Sequence, residues 1–364
     1  MSNQPPIEVP QGAIRLNTDS QKLEFYAQDR WYEMATEETS GLGGRAFRAA
    51  SGPGSTIIET WTIATGGNSV DTGFDVSTIV HAAASGSSKT RAVLAGGRSS
   101  AGAPYAQVNN IQYFEMASVS NTIDFGDLVG ARGRHDAHSN NTRMITGGGQ
   151  SSNNLMNLII IPSTGNATDF GNLTEGRITG GAVASQTRAV YVAGEKDPSG
   201  NQSNIIDYVT ILSTGNAVDY GDLTTERRYT LAAVSNKIRG ITGGGGTPAT
   251  PAVNQLDYIT ISTTGNSSDF GDLTVARTGA RGTGGNAVRG VYAGGYLADG
   301  NAPSPYGVAN TIDFITVATL GNALDFGDLS VGSDDPAIMT SSTRAVFAGG
   351  TSGVPSPANV LGNI

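Results

Sequence analysis

Leu256-Asp257-Tyr258-Ile259-Thr260-Ile261 is followed by Ser262-Thr263-Thr264-Gly265-Asn266 and then by Ser267-Ser268-Asp269-Phe270-Gly271-Asp272-Leu273. Two runs with β-branched and aromatic residues, separated by a polar segment that ends in Gly-Asn, are typical of a β-hairpin. The stretch therefore predicts two antiparallel strands, near 255–261 and 267–273.

Both halves of this stretch recur along the chain. The glycines of the aromatic-Gly element lie at positions 126, 171, 221, 271 and 327, so successive copies are 45, 50, 50 and 56 residues apart, and a degenerate first copy lies at 70–75. A second marker is an Arg followed by a short apolar run that ends in Gly, usually as a Gly pair. It begins at Arg91, Arg143, Arg188, Arg239, Arg289 and Arg344. Self-similarity near 50 residues predicts a repeat architecture.

Each repeat contains four short runs of strand-forming residues. In the fifth repeat we place them near 278–285, 288–293, 255–261 and 267–273. Some runs, such as Ile159-Ile160-Ile161, are apolar on both faces, which favours sheets that are covered on both sides. Radially stacked sheets provide that cover. We therefore predict an all-β protein, a six-bladed β-propeller of four-stranded blades.

The two ends of the repeat region suggest how the ring closes. The first repeat begins at its third strand, 57–63, whereas the last Arg strand lies at 344–350. N-terminal strands are thus expected to complete the C-terminal blade. An extra copy of the Arg strand at 44–50 supports a seven-bladed alternative. We assign residues 41–364 to the propeller and 1–40 to a small N-terminal β module.

The repeat resembles the kelch repeat. Kelch repeats contain a small-residue strand, an Arg-containing strand that ends in Gly-Gly, and a Tyr-Asp strand that leads to an aromatic residue. Asp257-Tyr258 and Phe270 are similar to the last two elements. The usual Trp is replaced here by Phe or Tyr followed by Gly-Asp-Leu, which makes the chain kelch-like over residues 44–358. The resemblance implies a kelch-like β-propeller.

Residues 10–34 differ in composition from the repeats. Alternation at Ile14/Leu16 and at Leu23/Phe25 predicts two half-buried strands, with Trp31 on a third. So small a sheet needs a partner: the propeller, a second copy or another protein. The pattern resembles short segments of tail-fibre and other structural proteins of tailed bacteriophages, including those of marine cyanobacteria. The predicted attachment residues are Ile14, Leu16, Leu23, Phe25 and Trp31.

Composition excludes several classes of function. The formal charge of -9 argues against a nucleic-acid partner. The absence of Cys excludes disulfides, thiolate nucleophiles and Cys-ligated metals. Neither a secretory signal nor an apolar run of transmembrane length is present, so we expect no membrane insertion.

Local motifs for catalysis or metal binding are weak. Asp-Phe-Gly lacks the other kinase elements, and the glycine run at 243–246 opens no helix. His135 and His138 point to opposite faces if they lie on one strand, which disfavours zinc. Paired acids that could bind calcium but that we expect to cap turns and meet the recurrent arginines are Asp219/Asp222, Asp269/Asp272 and Asp325/Asp328. We predict no cofactor, no metal and no catalytic residue.

The segment after each Gly pair varies between repeats. Because it has the same place in every repeat, the segments must emerge on one face of a propeller. The tyrosines Tyr105, Tyr296 and Tyr306 could supply contact area there. The alternative is a set of merely solvated loops. The segments are 98–110, 150–154, 195–204, 246–254, 296–309 and 351–358.

The combined resemblances imply a non-enzymatic virion protein of a tailed phage, assembled in the host cytoplasm. We expect a homo-oligomeric tail fibre or tail-associated adaptor, bound to other virion proteins through the N-terminal module and in contact with a host-surface glycan or protein. Three alternatives stay open: a capsid decoration or head-fibre protein, a propeller hydrolase or lyase acting on glycans, and a cellular kelch-like adaptor. The hydrolase would need acids in the central channel, whose strands, at 81–85, 134–140, 179–185, 229–235, 279–285 and 336–342, are mostly Ala, Gly, Ser and Thr.

Overall fold

The computed structural model describes residues 9–17, 22–33, 44–49, 55–65, 67–99, 106–151, 154–185, 187–279, 282–297 and 307–351. The chain divides into two compact units, Met1–Gly41 and Leu42–Ile364. All regular structure in the described ranges is β, and no helix there is long and apolar enough to cross a membrane. The predicted all-β class is confirmed.

The first unit is a three-stranded antiparallel sheet of β1 (Ile14–Asn17), β2 (Lys22–Ala27) and β3 (Arg30–Glu33). Ile14 pairs with Phe25 and Leu16 pairs with Leu23. Paired residues point to the same face of a sheet, so these four side chains share one face.

The second unit contains seven antiparallel sheets that follow one another along the chain. Sheet 1 contains β4 (Arg45–Ala49), β5 (Ile57–Thr62) and β6 (Val70–Asp75). A short strand β7 (Val80–His81) precedes sheet 2, which contains β8 (Ala84–Ser87), β9 (Arg91–Ala95), β11 (Asn110–Glu115) and β12 (Ile123–Asp127), while β10 (Arg98–Ser99) pairs back with β7. Sheet 3 contains β13 (Asp136–Ser139), β14 (Arg143–Gly147), β15 (Leu155–Ile160) and β16 (Thr168–Asn172).

The remaining four sheets continue the same order. Sheet 4 contains β17 (Arg177–Ala184), β18 (Arg188–Lys196), β19 (Gln202–Thr210) and β20 (Val218–Arg227). Sheet 5 contains β21 (Leu231–Ser235), β22 (Arg239–Gly243), β23 (Val253–Thr260) and β24 (Ser268–Thr278). Sheet 6 contains β25 (Gly282–Gly285), β26 (Arg289–Ala293), β28 (Thr311–Thr316) and β29 (Leu324–Asp328), with β27 (Tyr296–Leu297) pairing back onto β24. Sheet 7 contains β30 (Ala337–Thr340) and β31 (Ala345–Ala348).

The sheets pack face to face around a common centre. The first strands of sheets 2 to 7 contact one another in succession, from β8 to β30. The apolar residues between sheets form separate clusters, one of which joins sheets 5 and 6 through Phe270, Tyr292 and Ile315. The two ends meet where Trp61 and Ile63 pack with Ala348 and where an Arg344 Nη1–H donates to the Ile63 carbonyl at 3.3 Å. These contacts close the ring.

The two halves of the repeat motif are partners across neighbouring sheets. The Gly265 N–H donates to the Tyr220 carbonyl at 2.7 Å, and the Asn266 side chain accepts the Asp222 N–H at 3.1 Å. Gly221, at φ 142°, lies so close that a Cβ there would be 2.6 Å from the Gly265 carbonyl. The Gly-Asn turn of one sheet therefore seals the aromatic strand of the sheet before it. Phe125, Phe170, Tyr220 and Phe270 are all buried this way.

Sheet 6 differs at this contact. Phe326 is 58% exposed, whereas Phe270 is 2% exposed, and a Cβ at Gly327 would meet nothing within 4 Å. Within the described ranges, no turn covers the outer strand of this sheet.

Buried arginines stand where the chain crosses from the outer strand of one sheet to the inner strand of the next. In three sheets each of them forms an ion pair with an Asp in the third strand: Arg177 with Asp207 at 2.7 Å, Arg227 with Asp257 at 2.8 Å, and Arg277 with Asp313 at 2.7 Å. All six side chains are fully buried. A different set, the arginines of the Arg strands, braces neighbouring sheets: an Arg239 Nη1–H donates to the Val317 carbonyl at 2.8 Å.

The strand pairing corrects two details of the sequence interpretation. The four strands placed in the fifth repeat belong to two sheets, 255–261 and 267–273 to sheet 5 and the other two to sheet 6. β5 pairs with β4 rather than with β31, so in the described ranges β5 and β6 do not complete the C-terminal sheet. Arg45 of β4 pairs with Thr62 just as Arg239 pairs with Thr260, so 44–50 is an Arg strand of its own. This pairing favours the seven-bladed alternative.

Candidate functional site

A funnel of about 930 Å³ opens at the centre of the ring. Its wall is built from the segments that lead into the first strands and from the residues that follow the Gly pairs, such as Arg98 and Tyr296. Sheets 2 to 7 all contribute to the wall. The volume lies within the range of small-molecule sites in proteins. We call this cavity the funnel.

One recurring position places a residue on the funnel wall in five of the sheets. It lies two residues after the crossover position that Arg132, Arg227 and Arg277 occupy. The backbone there is left-handed in five sheets, at Ala82 (φ 52°), Arg134 (φ 56°), Tyr229 (φ 49°), Gly279 (φ 72°) and Asp335 (φ 50°). All five line the funnel.

The left-handed residues also hydrogen-bond to one another. The Arg134 N–H donates to the Ala82 carbonyl at 3.0 Å, and the Gly279 N–H donates to the Tyr229 carbonyl at 3.0 Å. Left-handed backbone is unfavourable by about 1–2 kcal/mol for a residue with a Cβ, and glycine avoids this cost. Arg, Tyr and Asp at these positions are therefore costly for folding, and such strain concentrates at functional sites.

The wall of sheets 2 and 3 carries two arginines, Arg98 and Arg134, and one acid, Asp136, so its formal charge is positive. Arg98 and Arg134 lie near His81, whose pKa is lowered by burial and by the charges of these two arginines. The imidazole is consequently neutral near pH 7. Among the described residues, no carboxylate forms an ion pair with Arg134. This part of the wall presents positive charge to the cavity.

The wall of sheets 6 and 7 is acidic. Asp334 and Asp335 line it beside Tyr296, whose pKa is raised by burial, by the charge of Asp334 and by a hydrogen bond to Asp334. Burial and a hydrogen bond to Glu195 likewise raise the pKa of Tyr229 on the wall of sheets 4 and 5. Both phenols stay protonated at neutral pH. The funnel thus has a cationic side, an acidic side and two tyrosines.

Sequence reasoning missed these acids. It expected the channel to be lined by first strands that are mostly Ala, Gly, Ser and Thr, whereas Asp136, Glu195, Asp334 and Asp335 all line the funnel. Asp334 and Asp335 directly precede the predicted strand at 336–342, and Glu195 is the second-last residue of the second strand of its sheet. No sequence signal marks the left-handed position, so Asp335 was missed. Across the described ranges, no three His, Asp or Glu side chains are grouped closely enough to hold a metal ion.

The predicted loop tyrosines can be followed in part. Tyr296 lies on the funnel wall and is 39% exposed. Tyr105 and Tyr306 lie outside the described residues. Two other segments after a Gly pair supply Arg98 and Glu195 to the wall.

The predicted attachment residues lie on both faces of the N-terminal sheet. Ile14, Leu16, Leu23 and Phe25 form one face and are 63%, 60%, 45% and 37% exposed. Trp31 pairs with Tyr26 and lies on the opposite face, where the Arg15 guanidinium sits 4.1 Å from its ring centroid and pairs with Glu24 at 2.7 Å. One face is thus closed by its own polar and aromatic contacts, and the other is apolar and open.

The histidines and paired acids have structural contacts. Burial lowers the pKa of His135 to about 3 and that of His138 to about 4, and the His138 ring packs edge-on against Tyr191. The Asp219 and Asp269 side chains accept the N–H groups of Gly221 and Gly271 at 3.0 and 3.1 Å. The acids cap turns as expected, but the recurrent arginines bond to carbonyl groups of the neighbouring sheet instead.

Comparison with known proteins gives the fold and no more. No family model matches the chain, and no curated protein matches it. Among solved structures, the structure of YjhT, a β-propeller-like protein, is similar with a TM-score of 0.56 at 9% identity, and the match covers 75% of this chain and 91% of that one. At this identity the likeness supports the propeller-like fold alone.

Proposed function

We propose that this chain is a non-enzymatic structural protein of a tailed-phage virion. In this proposal the N-terminal sheet attaches the protein to the particle, and the propeller recognises the host surface through its funnel face. The setting on a virion rests on the resemblance of residues 10–34 to phage structural proteins. A tail fibre or tail-associated adaptor fits best, with capsid decoration or a head fibre as alternative positions on the particle.

The observation that carries the proposal is the open apolar face of the N-terminal sheet. Four adjacent side chains, Ile14, Leu16, Leu23 and Phe25, are more than a third exposed, although a three-stranded sheet of this size is only marginally stable without a partner. A face of this kind supports attachment to another protein or to other copies of this chain in a homo-oligomer.

The test is incorporation into particles. Wild-type protein should be found on purified virions by an antibody against the propeller. Leu16→Asp should be lost from them because a charge in the attachment face opposes its burial. Val70→Asp, which places the same charge at a 62% exposed apolar position of the second unit, is the matched control and should still be incorporated. Absence of the wild-type protein from virions would refute the proposal.

A second candidate, a hydrolase or lyase acting on surface polysaccharide, is favoured by the carboxylates of the funnel. Glycoside hydrolysis uses paired carboxylates, and Asp136 and Glu195 each have a buried oxygen without a hydrogen-bond partner among the described residues. Release of reducing ends from host glycans, lost in Glu195→Gln, would support this candidate over pure recognition.

A further inference from the structure

We infer that the funnel binds a carboxylated saccharide, with Arg134 and Arg98 holding the carboxylate and the opposite acidic wall accepting hydroxyl groups. The inference names the ligand class of the recognition function proposed above and rests on it. It comes from three features of the wall: its charge division, its tyrosines and its left-handed residues.

The separation of arginines and acids on different walls determines which groups a ligand needs at each end. Arg98, Arg134 and neutral His81 lie together, and guanidinium groups bind carboxylates with paired, charge-assisted hydrogen bonds. On the other walls, the carboxyl oxygens of Asp335, Asp334 and Glu195 can accept hydrogen bonds. A ligand that meets both walls needs an anionic group at one end and several hydroxyl donors elsewhere. A sugar acid has this distribution.

The tyrosines and the volume fit a sugar ring. Tyr229 and Tyr296 are 42% and 39% exposed and remain protonated, so each offers an apolar ring and a hydroxyl group. The rest of the wall is largely small, with Ala82, Ala137 and Gly181 among its residues. About 930 Å³ accommodates a sugar unit with part of a neighbour.

The left-handed position marks three side chains as candidates for contact with the ligand. Gly279 has the residue type that adopts this backbone conformation without a steric cost. Arg134, Tyr229 and Asp335 have the same conformation at a cost, and they carry a cation, an aromatic hydroxyl and an acid into one cavity. Glycine at these positions should remove binding without harming the fold.

The experiment measures binding of galacturonate, galactose and galactosamine to the full chain by saturation-transfer NMR and calorimetry at millimolar concentrations. Galacturonate should bind at least about tenfold more tightly than galactose, since the ring is the same and only the carboxylate differs. Preference for galactosamine, equal binding of all three sugars, or binding of none would overturn the inference.

Variants assign the interaction to the funnel. Arg134→Gly should abolish the preference for galacturonate, and Asp335→Gly should weaken galacturonate and galactose alike. Thermal midpoints should stay level or rise in both variants. Ser151→Gly is the matched control, because Ser151 is left-handed (φ 71°) but is not part of the funnel wall, and it should bind like the wild type.

An Arg134→Gly variant that folds and keeps the preference would also refute the inference. Failure here leaves incorporation into virions intact, whereas failure of incorporation leaves sugar binding intact, so the two proposals fail separately.

Discussion

Asp257→Asn should strongly destabilise the propeller, and Asn157→Asp should not. Arg227 is fully buried and donates to Asp257 at 2.8 Å, to the Gln255 carbonyl at 3.0 Å and to Thr225 at 3.0 Å. Asparagine keeps the shape but leaves the guanidinium charge uncompensated. Removing one partner of a buried ion pair costs about 3–5 kcal/mol. We expect about 3 kcal/mol, since the two neutral acceptors remain.

Sheet 3 provides the reciprocal experiment. Asn157 stands in its third strand where Asp257 stands in sheet 5, and the buried Arg132 donates to the carbonyls of Leu155, Gly148 and Gly130, at 2.6, 3.3 and 3.5 Å. Burial lowers the pKa of Arg132 to about 10. A carboxylate at position 157 should therefore stabilise the protein by about 1 kcal/mol or more.

Urea unfolding followed by circular dichroism measures both variants. The midpoint should fall in Asp257→Asn and rise in Asn157→Asp at an unchanged slope, because the surface exposed on unfolding stays the same. A loss below about 1 kcal/mol in Asp257→Asn, or equal losses in the two variants, would refute the view that the buried charge pair decides stability at the crossovers.

Three further outcomes follow from contacts between and within the sheets. Gly221→Ala should lower the free energy of unfolding in urea by about 2 kcal/mol more than Gly327→Ala. Both glycines have a positive φ, but only at Gly221 would a Cβ lie 2.6 Å from a neighbouring carbonyl. Equal losses would contradict the contact between the Gly-Asn turn and the preceding sheet. The unfolded state takes up a proton at His138 below pH 6.5, whereas the folded state resists it to about pH 4, so this side chain should lower stability by about 3 kcal/mol as the pH drops through this window; His138→Phe should remove this contribution and leave that of His135, whose pKa burial lowers to about 3. Arg239→Met should lower the free energy of unfolding by about 1–2 kcal/mol, because it removes the hydrogen bond to the Val317 carbonyl and the cation–π contact 4.7 Å from the Tyr258 ring centroid. The control Lys237→Met, on the exposed turn, should change the free energy of unfolding by less than about 0.5 kcal/mol in thermal unfolding.

Much of the fold could be predicted because the repeated motif marks equivalent strands at equivalent positions of each repeat. Phe270 and Gly271 recur with their neighbours, and the Arg strands recur with their glycines, so the strands and the all-β class followed directly. What the Gly-Asn turn contacts could not be predicted, since Gly265 bonds to Tyr220 in the sheet before its own. The error at the ends had a similar cause, because strand order alone cannot distinguish β31 from β4 as the partner of β5.

The candidate site was hidden for the opposite reason. Self-similarity detects positions that stay the same, whereas Arg134, Tyr229 and Asp335 differ at one equivalent position. Their left-handed backbone conformation is visible only in the structure, because Arg, Tyr and Asp do not by themselves predict a positive φ. In the N-terminal sheet, the alternation of apolar residues predicted that Ile14 and Leu16 share one face. The pairing of Trp31 with Tyr26 depends on the tight turn between β2 and β3, which the alternation does not predict.

The contact in which each Gly-Asn turn seals the sheet before it has a consequence for how such a chain can change. Sheets 2 to 5 each accept the same Gly-Asn turn from the following sheet, so these units are interchangeable as far as this joint is concerned. The residues that we propose to contact a ligand lie elsewhere, at the rim of the opening. Exchange of whole repeats would then change the side chains that line the funnel while the contacts between sheets stay the same. New combinations of recognition groups can therefore arise without a change in the scaffold.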